Sequence, residues 1–299
     1  MKTQKRRIAR GRFSAGVYIS SGGQNYLPIY LLDAFYVEIM RAPMTTSTLP
    51  AGRVVWHDLM STDPAASQAF YAELFGWEFR ETEIDSAPYH IFTSGGHDQG
   101  GILAFDPSMG IPSHWMAYVN VDDIDATVER VPTLGGSTCI PATEIEGIGR
   151  FAVIQDPTGG TLSPFQSAHE QKDTPYPQPA GMFCWDELMT DDVEKAKAFY
   201  AELFGWTSET HTAGGGDYHL LNQGERQIGG IMQIPEGAPH PPMWMPYVAT
   251  DDVRAGCEKA KSLGATIYVE PQEIPGTGHF CVFGDPQGAS IALFQGVRG

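Results

Sequence analysis

The chain has 299 residues, which on the usual range of domain sizes is enough for two domains. Its 19 Lys and Arg stand against 36 Asp and Glu, a net charge of −17. Such a surface repels phosphate backbones and speaks against nucleic acid and anionic membranes as partners. No apolar run reaches the length of a membrane span; the nearest approach, Leu27 to Met40, is broken by Asp33 and Glu38. The four cysteines, Cys139, Cys184, Cys257 and Cys281, form no C-x-x-C pair. They fit neither a disulfide scaffold nor a structural zinc site and point to reduced thiols in a cytoplasmic protein.

In chain order, the first segment differs from all that follows. Residues 1–43 hold seven basic and two acidic residues, so a +5 leader precedes a remainder of −22. It lacks the apolar stretch and cleavage site of a secretory signal. Residues 1–48 are expected to be an N-terminal extension without function. VVWHDLM at 54–60 then reads as a strand, with Asp63 as helix N-cap and Pro64 as the first helical residue. Ala66, Phe70 and Leu74 fall on one helical face, and Gly76 stops the helix.

The chain repeats at a shift of 129 residues without a gap. AFYAELFGW occurs at 69–77 and again at 198–206, and WMAYVNVDD at 115–123 matches WMPYVATDD at 244–252. VWHDLMSTD at 55–63 matches CWDELMTDD at 184–192, and all six tryptophans fall into repeat pairs. A weaker repeat at a shift of 59 aligns Trp56 with Trp115 and Gly76 with Gly135. Each half ends on a D-P-x-G segment that fits a type I turn. The common unit is strand, helix, three strands. The expected organisation is therefore α+β: four βαβββ modules in two tandem domains, 49–166 and 182–299, joined by a Pro-rich linker at 167–181.

These features, the W-x-[DE]-L-M strand, the AFYxELFGW helix and the DPxG hairpin, resemble the vicinal oxygen chelate superfamily of glyoxalases, bleomycin-resistance proteins and extradiol dioxygenases. The resemblance covers about residues 53–296 and implies a curved sheet around a cleft in each half. Enzymes of that superfamily hold a divalent metal through His, Gln or Glu on the first and last strands of the modules. Matched onto this chain, the first-strand positions are Trp56, Met116, Trp185 and Met245, poor ligands for such a metal. The last strands offer only the amides of Gln166, Gln233 and Gln295. The set His57, Asp58 and His114 is replaced by Asp186, Glu187 and Met243 in the second half. No metal and no other cofactor is expected.

Alternation along the strands, oriented by the resemblance, assigns Trp56, Asp58, Met60, His114, Met116, Tyr118 and Asn120 to the first cleft. Trp185, Glu187, Met189, Met245 and Tyr247 are assigned to the second. Flat rings, pliable thioethers and one carboxylate suit a planar apolar ligand bearing a cation, although each Trp and Met also suits a core. Tyr89–His90 and Tyr218–His219 repeat on a neighbouring strand. His90 and His219, with Asp58 and Glu187, are the candidate acid–base groups, and hydrogen-bonded structural histidines are the plainer reading. No G-x-S-x-G elbow, P-loop or H-E-x-x-H motif is present.

Two functions follow. One is a metal-free relative of the bleomycin-resistance proteins that sequesters or carries an aromatic natural product, in antibiotic resistance or as an accessory in antibiotic (anthracycline-like) biosynthesis. The other is an enzyme, either a glyoxalase-like lyase acting on reactive carbonyls or a metal-free tailoring enzyme. The expected partner is a small molecule, and the expected state a monomer or homodimer.

Overall fold

Each module begins with a strand and a helix whose start is set by an aspartate. Asp63 and Asp123 accept hydrogen bonds from the backbone N–H groups of Ala66 and Ala126, and Asp192 and Asp252 do the same for Lys195 and Ala255. Gly76 and Gly205, both at φ 71°, close the first and third helices in the left-handed conformation that glycine adopts without strain. A computed structural model describes residues 49–297 apart from 85, 107, 109, 111, 172–175, 214–215 and 239. The extension expected over 1–48 lies outside the described residues.

The first half runs β1 (Val54–Ser61), α1 (Pro64–Phe75), β2 (Glu78–Ile84), β3 (Ala87–Ser94) and β4 (His97–Ala104), then β5 (His114–Asn120), α2 (Ile124–Arg130), β6 (Ser137–Ile145), β7 (Gly149–Gln155) and β8 (Thr161–Ser167). The second half repeats it as β9 (Phe183–Thr190), α3 (Val193–Phe204), β10 (Thr207–Ala213), β11 (Gly216–Gln223) and β12 (Arg226–Gln233), then β13 (Met243–Ala249), α4 (Val253–Ser262), β14 (Thr266–Ile274), β15 (Gly278–Gly284) and β16 (Ser290–Gly296). Each half forms one eight-stranded mixed sheet, in the orders β2-β3-β4-β1-β5-β8-β7-β6 and β10-β11-β12-β9-β13-β16-β15-β14. The two modules of a half meet at an antiparallel pair, β1 with β5 and β9 with β13. Four βαβββ modules in two tandem α+β domains are therefore present, as the repeats imply.

One face of each sheet carries a smaller apolar cluster around Asp58 or Glu187, the face the resemblance assigns to the clefts, and the other faces form the seam between halves. In the seam, Leu59, Phe70, Tyr71 and Trp77 of the first half share a core with Val253, Cys257, Phe283 and Leu293 of the second. The mirrored core joins Phe199, Tyr200 and Trp206 to Val119, Ile154 and Leu162. At about 1.5–3 kcal/mol for each large apolar side chain taken out of water, the six buried rings among the eight aromatic residues of the two AFYxELFGW motifs rival the net stability of a whole domain, about 5–15 kcal/mol. The halves are one folding unit on this account.

Polar locks sit inside the seam. The Tyr71 hydroxyl donates to Asp285 Oδ2 at 2.9 Å and that of Tyr200 to Asp156 Oδ2 at 2.7 Å. These aspartates open the two D-P-x-G turns, whose i-to-i+3 backbone bonds run from Gly159 N to Asp156 O and from Gly288 N to Asp285 O. Trp77 Nε1 donates to Gly181 O and Trp206 Nε1 to Gly52 O, again across the seam. His57 Nε2 meets Asp186 Oδ1 at 2.8 Å with its ring stacked on Phe183, so two residues matched by the repeat touch each other.

Two local expectations shift. The buried face of α1 is centred on Ser67, Phe70 and Tyr71, while Ala66 and Leu74 are only half-buried, because Tyr71 must reach the turn of the other half. Strict alternation on β1 also fails at its start. A register shift between Val54 and Trp56 lets Val55 pack with Trp56 beside the cleft cluster.

Candidate functional site

The central strands build the floor of the first cleft. Trp56, Asp58 and Met60 on β1 lie directly opposite Tyr118, Met116 and His114 on β5. Phe151, Val153 and Phe165 from β7 and β8 extend the same apolar wall. Asp58 is buried among these groups at 6% exposure, so its carboxylate needs donors from the protein. The Tyr89 hydroxyl donates to Asp58 Oδ1 at 2.6 Å, and Trp56 Nε1 donates to the same oxygen at 2.9 Å and lies 2.8 Å from the Tyr89 hydroxyl. Burial raises the Asp58 pKa and these donors pull it back.

The second cleft repeats the arrangement with one more methylene. Trp185, Glu187 and Met189 on β9 lie opposite Tyr247, Met245 and Met243 on β13. The Tyr218 hydroxyl donates to Glu187 Oε2 and the Tyr247 hydroxyl to Oε1, both at 3.0 Å. Trp185 Nε1 donates only to the Tyr218 hydroxyl, at 2.9 Å, where Trp56 also reaches the carboxylate. With longer donor contacts, burial holds the Glu187 pKa at about 7. Burial and the adjacent carboxylates raise the tyrosine pKa values, so the hydroxyls keep their protons.

The predicted cleft residues are thus brought together around two carboxylates, and sequence reasoning missed Tyr89 and Tyr218. Their rings lie over Gly101 and Gly230, where a Cβ would stand about 2.0 Å from Tyr89 Cζ and from the Tyr218 hydroxyl. The two glycines leave the space that lets each tyrosine reach its carboxylate. The neighbouring histidines are not part of this arrangement. His90 pairs with Ile102 and His219 with Ile231, both residues of the seam cores, so the two histidines occupy the helix-side face. His219 Nδ1 lies 2.9 Å from Thr210 Oγ1. His114 is at the cleft rim, against the edge of Phe105 and 3.0 Å from Pro112 O. The Asn120 side chain accepts from Arg53 N and holds the strand end.

The superfamily's metal positions do not fit a resident divalent metal here. Trp56 and Trp185 direct their N–H groups at the tyrosine–carboxylate clusters, and an indole offers no lone pair. Met116 and Met245 are buried thioethers, soft and neutral. Gln166, Gln233 and Gln295 are engaged at helix starts, with Ile124 N and Asp122 O, with Asp191 O, and with Val253 N. His57 faces the seam rather than the cleft. Among the described residues, no three His, Cys, Asp or Glu are grouped to hold a metal ion.

Paired βαβββ modules that close two curved sheets, each with its own cleft, are the architecture of two-domain vicinal oxygen chelate proteins. The chain belongs to the Glyoxalase/Bleomycin resistance protein/Dioxygenase superfamily, whose model matches residues 184–293, with a Glyoxalase-like domain model matching residues 54–163. It is 35% identical over 246 residues to the protein named "Putative glyoxylase CFP32" of Mycobacterium tuberculosis, spanning 80% of this chain and 93% of the relative. It is 29% identical over 270 residues to the anthracycline biosynthesis protein DnrV of Streptomyces peucetius, spanning 82% and 93%. In structure it is similar to the Mn(II)-bound glyoxalase from Novosphingobium aromaticivorans, with a TM-score of 0.58, 16% identity and 82% of each chain covered. At that identity the likeness speaks for the fold alone.

Proposed function

We propose that this protein binds a planar aromatic small molecule in its clefts without a metal, as a sequestering or carrier protein. The observation that carries the reading is the replacement of the metal positions by Trp56 and Trp185, Met116 and Met245, around a buried carboxylate. Indole faces and thioethers grip flat rings through dispersion and adapt to their outline. The carboxylate adds attraction for a ligand that carries an ammonium group. The likeness to a protein named for anthracycline biosynthesis supports a polycyclic ligand and an accessory or resistance role in antibiotic biosynthesis. One chain supplies both sides of the seam, which supports a monomer.

Tryptophan fluorescence tests the reading, since Trp56 and Trp185 are the two cleft tryptophans and the other four are buried in the seam. Chelator-treated protein is expected to be quenched saturably by planar polycyclic amines, and a W56F/W185F variant is expected to lose the response. No saturable quenching across such a panel contradicts the proposal.

A second reading has one observation of its own. A buried carboxyl with a pKa of about 7, Glu187, is suited to moving a proton at neutral pH, and a relative carries a glyoxylase name. Turnover of a methylglyoxal–glutathione hemithioacetal that persists in chelator and disappears in E187Q would favour an enzyme.

A further inference from the structure

The clefts also carry a hydrogen-bond polarity. We infer that the second cleft selects aromatic ligands bearing a hydrogen-bond donor, a phenol, alcohol or amine, over matched ethers and ketones, because its tyrosines present acceptor oxygens alone. The inference rests on the proposed binding role and narrows its ligand class.

A tyrosine hydroxyl has one hydrogen to give, and an indole one. In the first cleft Tyr89 gives its own to Asp58, and Trp56 points its own into the same cluster. In the second cleft Tyr218 and Tyr247 give theirs to Glu187, and Trp185 gives its own to Tyr218. Ser163, opposite Tyr118, donates to Ala152 O. Each of these donors is thus turned inward to a protein acceptor. What Tyr218 and Tyr247 retain are oxygen lone pairs, made more basic because each O–H is drawn toward a carboxylate. A ligand O–H or N–H completes these oxygens. A carbonyl or ether oxygen placed there meets another acceptor and loses its hydrogen bond to water without replacement.

The test compares three probes on one ring system, 1-naphthol, 1-methoxynaphthalene and 1-acetylnaphthalene, by calorimetry on the whole chain at pH 8, where Glu187 is ionised. Naphthol is expected to bind at least about tenfold more tightly than either analogue, the effect of one good hydrogen bond. In a Y247F variant the preference for naphthol should fall below about threefold. Equal or tighter binding of the ether or ketone by the unaltered protein overturns the inference and leaves the aromatic-binding role standing. If none of the three probes binds, the binding role itself fails, and the inference with it.

Discussion

One methylene separates the two carboxylates, and their hydrogen bonds differ accordingly. Asp58 receives bonds of 2.6 Å from Tyr89 and 2.9 Å from Trp56, whereas Glu187 has two tyrosines at 3.0 Å. A folded-state pKa of about 7 at Glu187 lies above the ordinary 4.5, so between these values the folded chain binds more protons than the unfolded one. Stability at this site is therefore greatest below pH 4.5 and falls as pH rises toward 7, by on the order of 3 kcal/mol in total. Urea denaturation of E187Q beside the parent chain should show the variant gaining relative stability from pH 5 to pH 8. A difference independent of pH contradicts the assignment. A second residue-scale prediction concerns the glycines under the tyrosines. G101A and G230A place a Cβ where Tyr89 and Tyr218 now lie, so each should keep the fold, displace its tyrosine and lower aromatic binding at its own cleft by tenfold or more. Calorimetry on each variant checks this. Asp58, Trp56 and Tyr118 were legible in the sequence because period-two alternation assigns faces within a strand. Tyr89 and Tyr218 were not, since their approach depends on the register of β3 on β4 and β11 on β12, and on a missing Cβ in the neighbouring strand.

At the scale of elements, the most conspicuous repeat serves assembly. AFYxELFGW forms α1 and α3 and sends Tyr71 and Tyr200 into turns of the opposite half. Asp156 and Asp285 each hold a turn with one oxygen and a tyrosine with the other. Y71F and Y200F each remove a buried hydrogen bond to a carboxylate and should cost about 1.5–3 kcal/mol. Urea denaturation measures the loss, and ligand affinity should stay unchanged because neither residue faces a cleft. A changed affinity with unchanged stability would contradict the division between seam and site. The helix caps, stops and DPxG turns were legible because each is local chemistry of a few consecutive residues. The partner of each helix was not legible. A 3.6-residue period says that a face is buried and does not say which module buries it.

For the molecule as a whole, the repeat makes a pair of sheets joined along a helix-lined seam, with matched aromatic–carboxylate clusters on the opposite faces. The fold was open to reading because duplication prints each signal twice. These clusters were readable in outline because Trp and Met stand where the superfamily places its metal ligands. No helix among the described residues is long and apolar enough to cross a membrane. The net charge of −17 belongs to surface and solubility, while the two carboxylates that organise the clefts lie buried within it. The central claim is that these clefts bind flat aromatic molecules through their own side chains, without a metal. Isothermal titration of chelator-treated protein with a planar polycyclic amine tests it most directly. The account predicts saturable binding of two molecules per chain that is unaltered when a divalent metal is restored, and binding that appears only after metal is added back would contradict it.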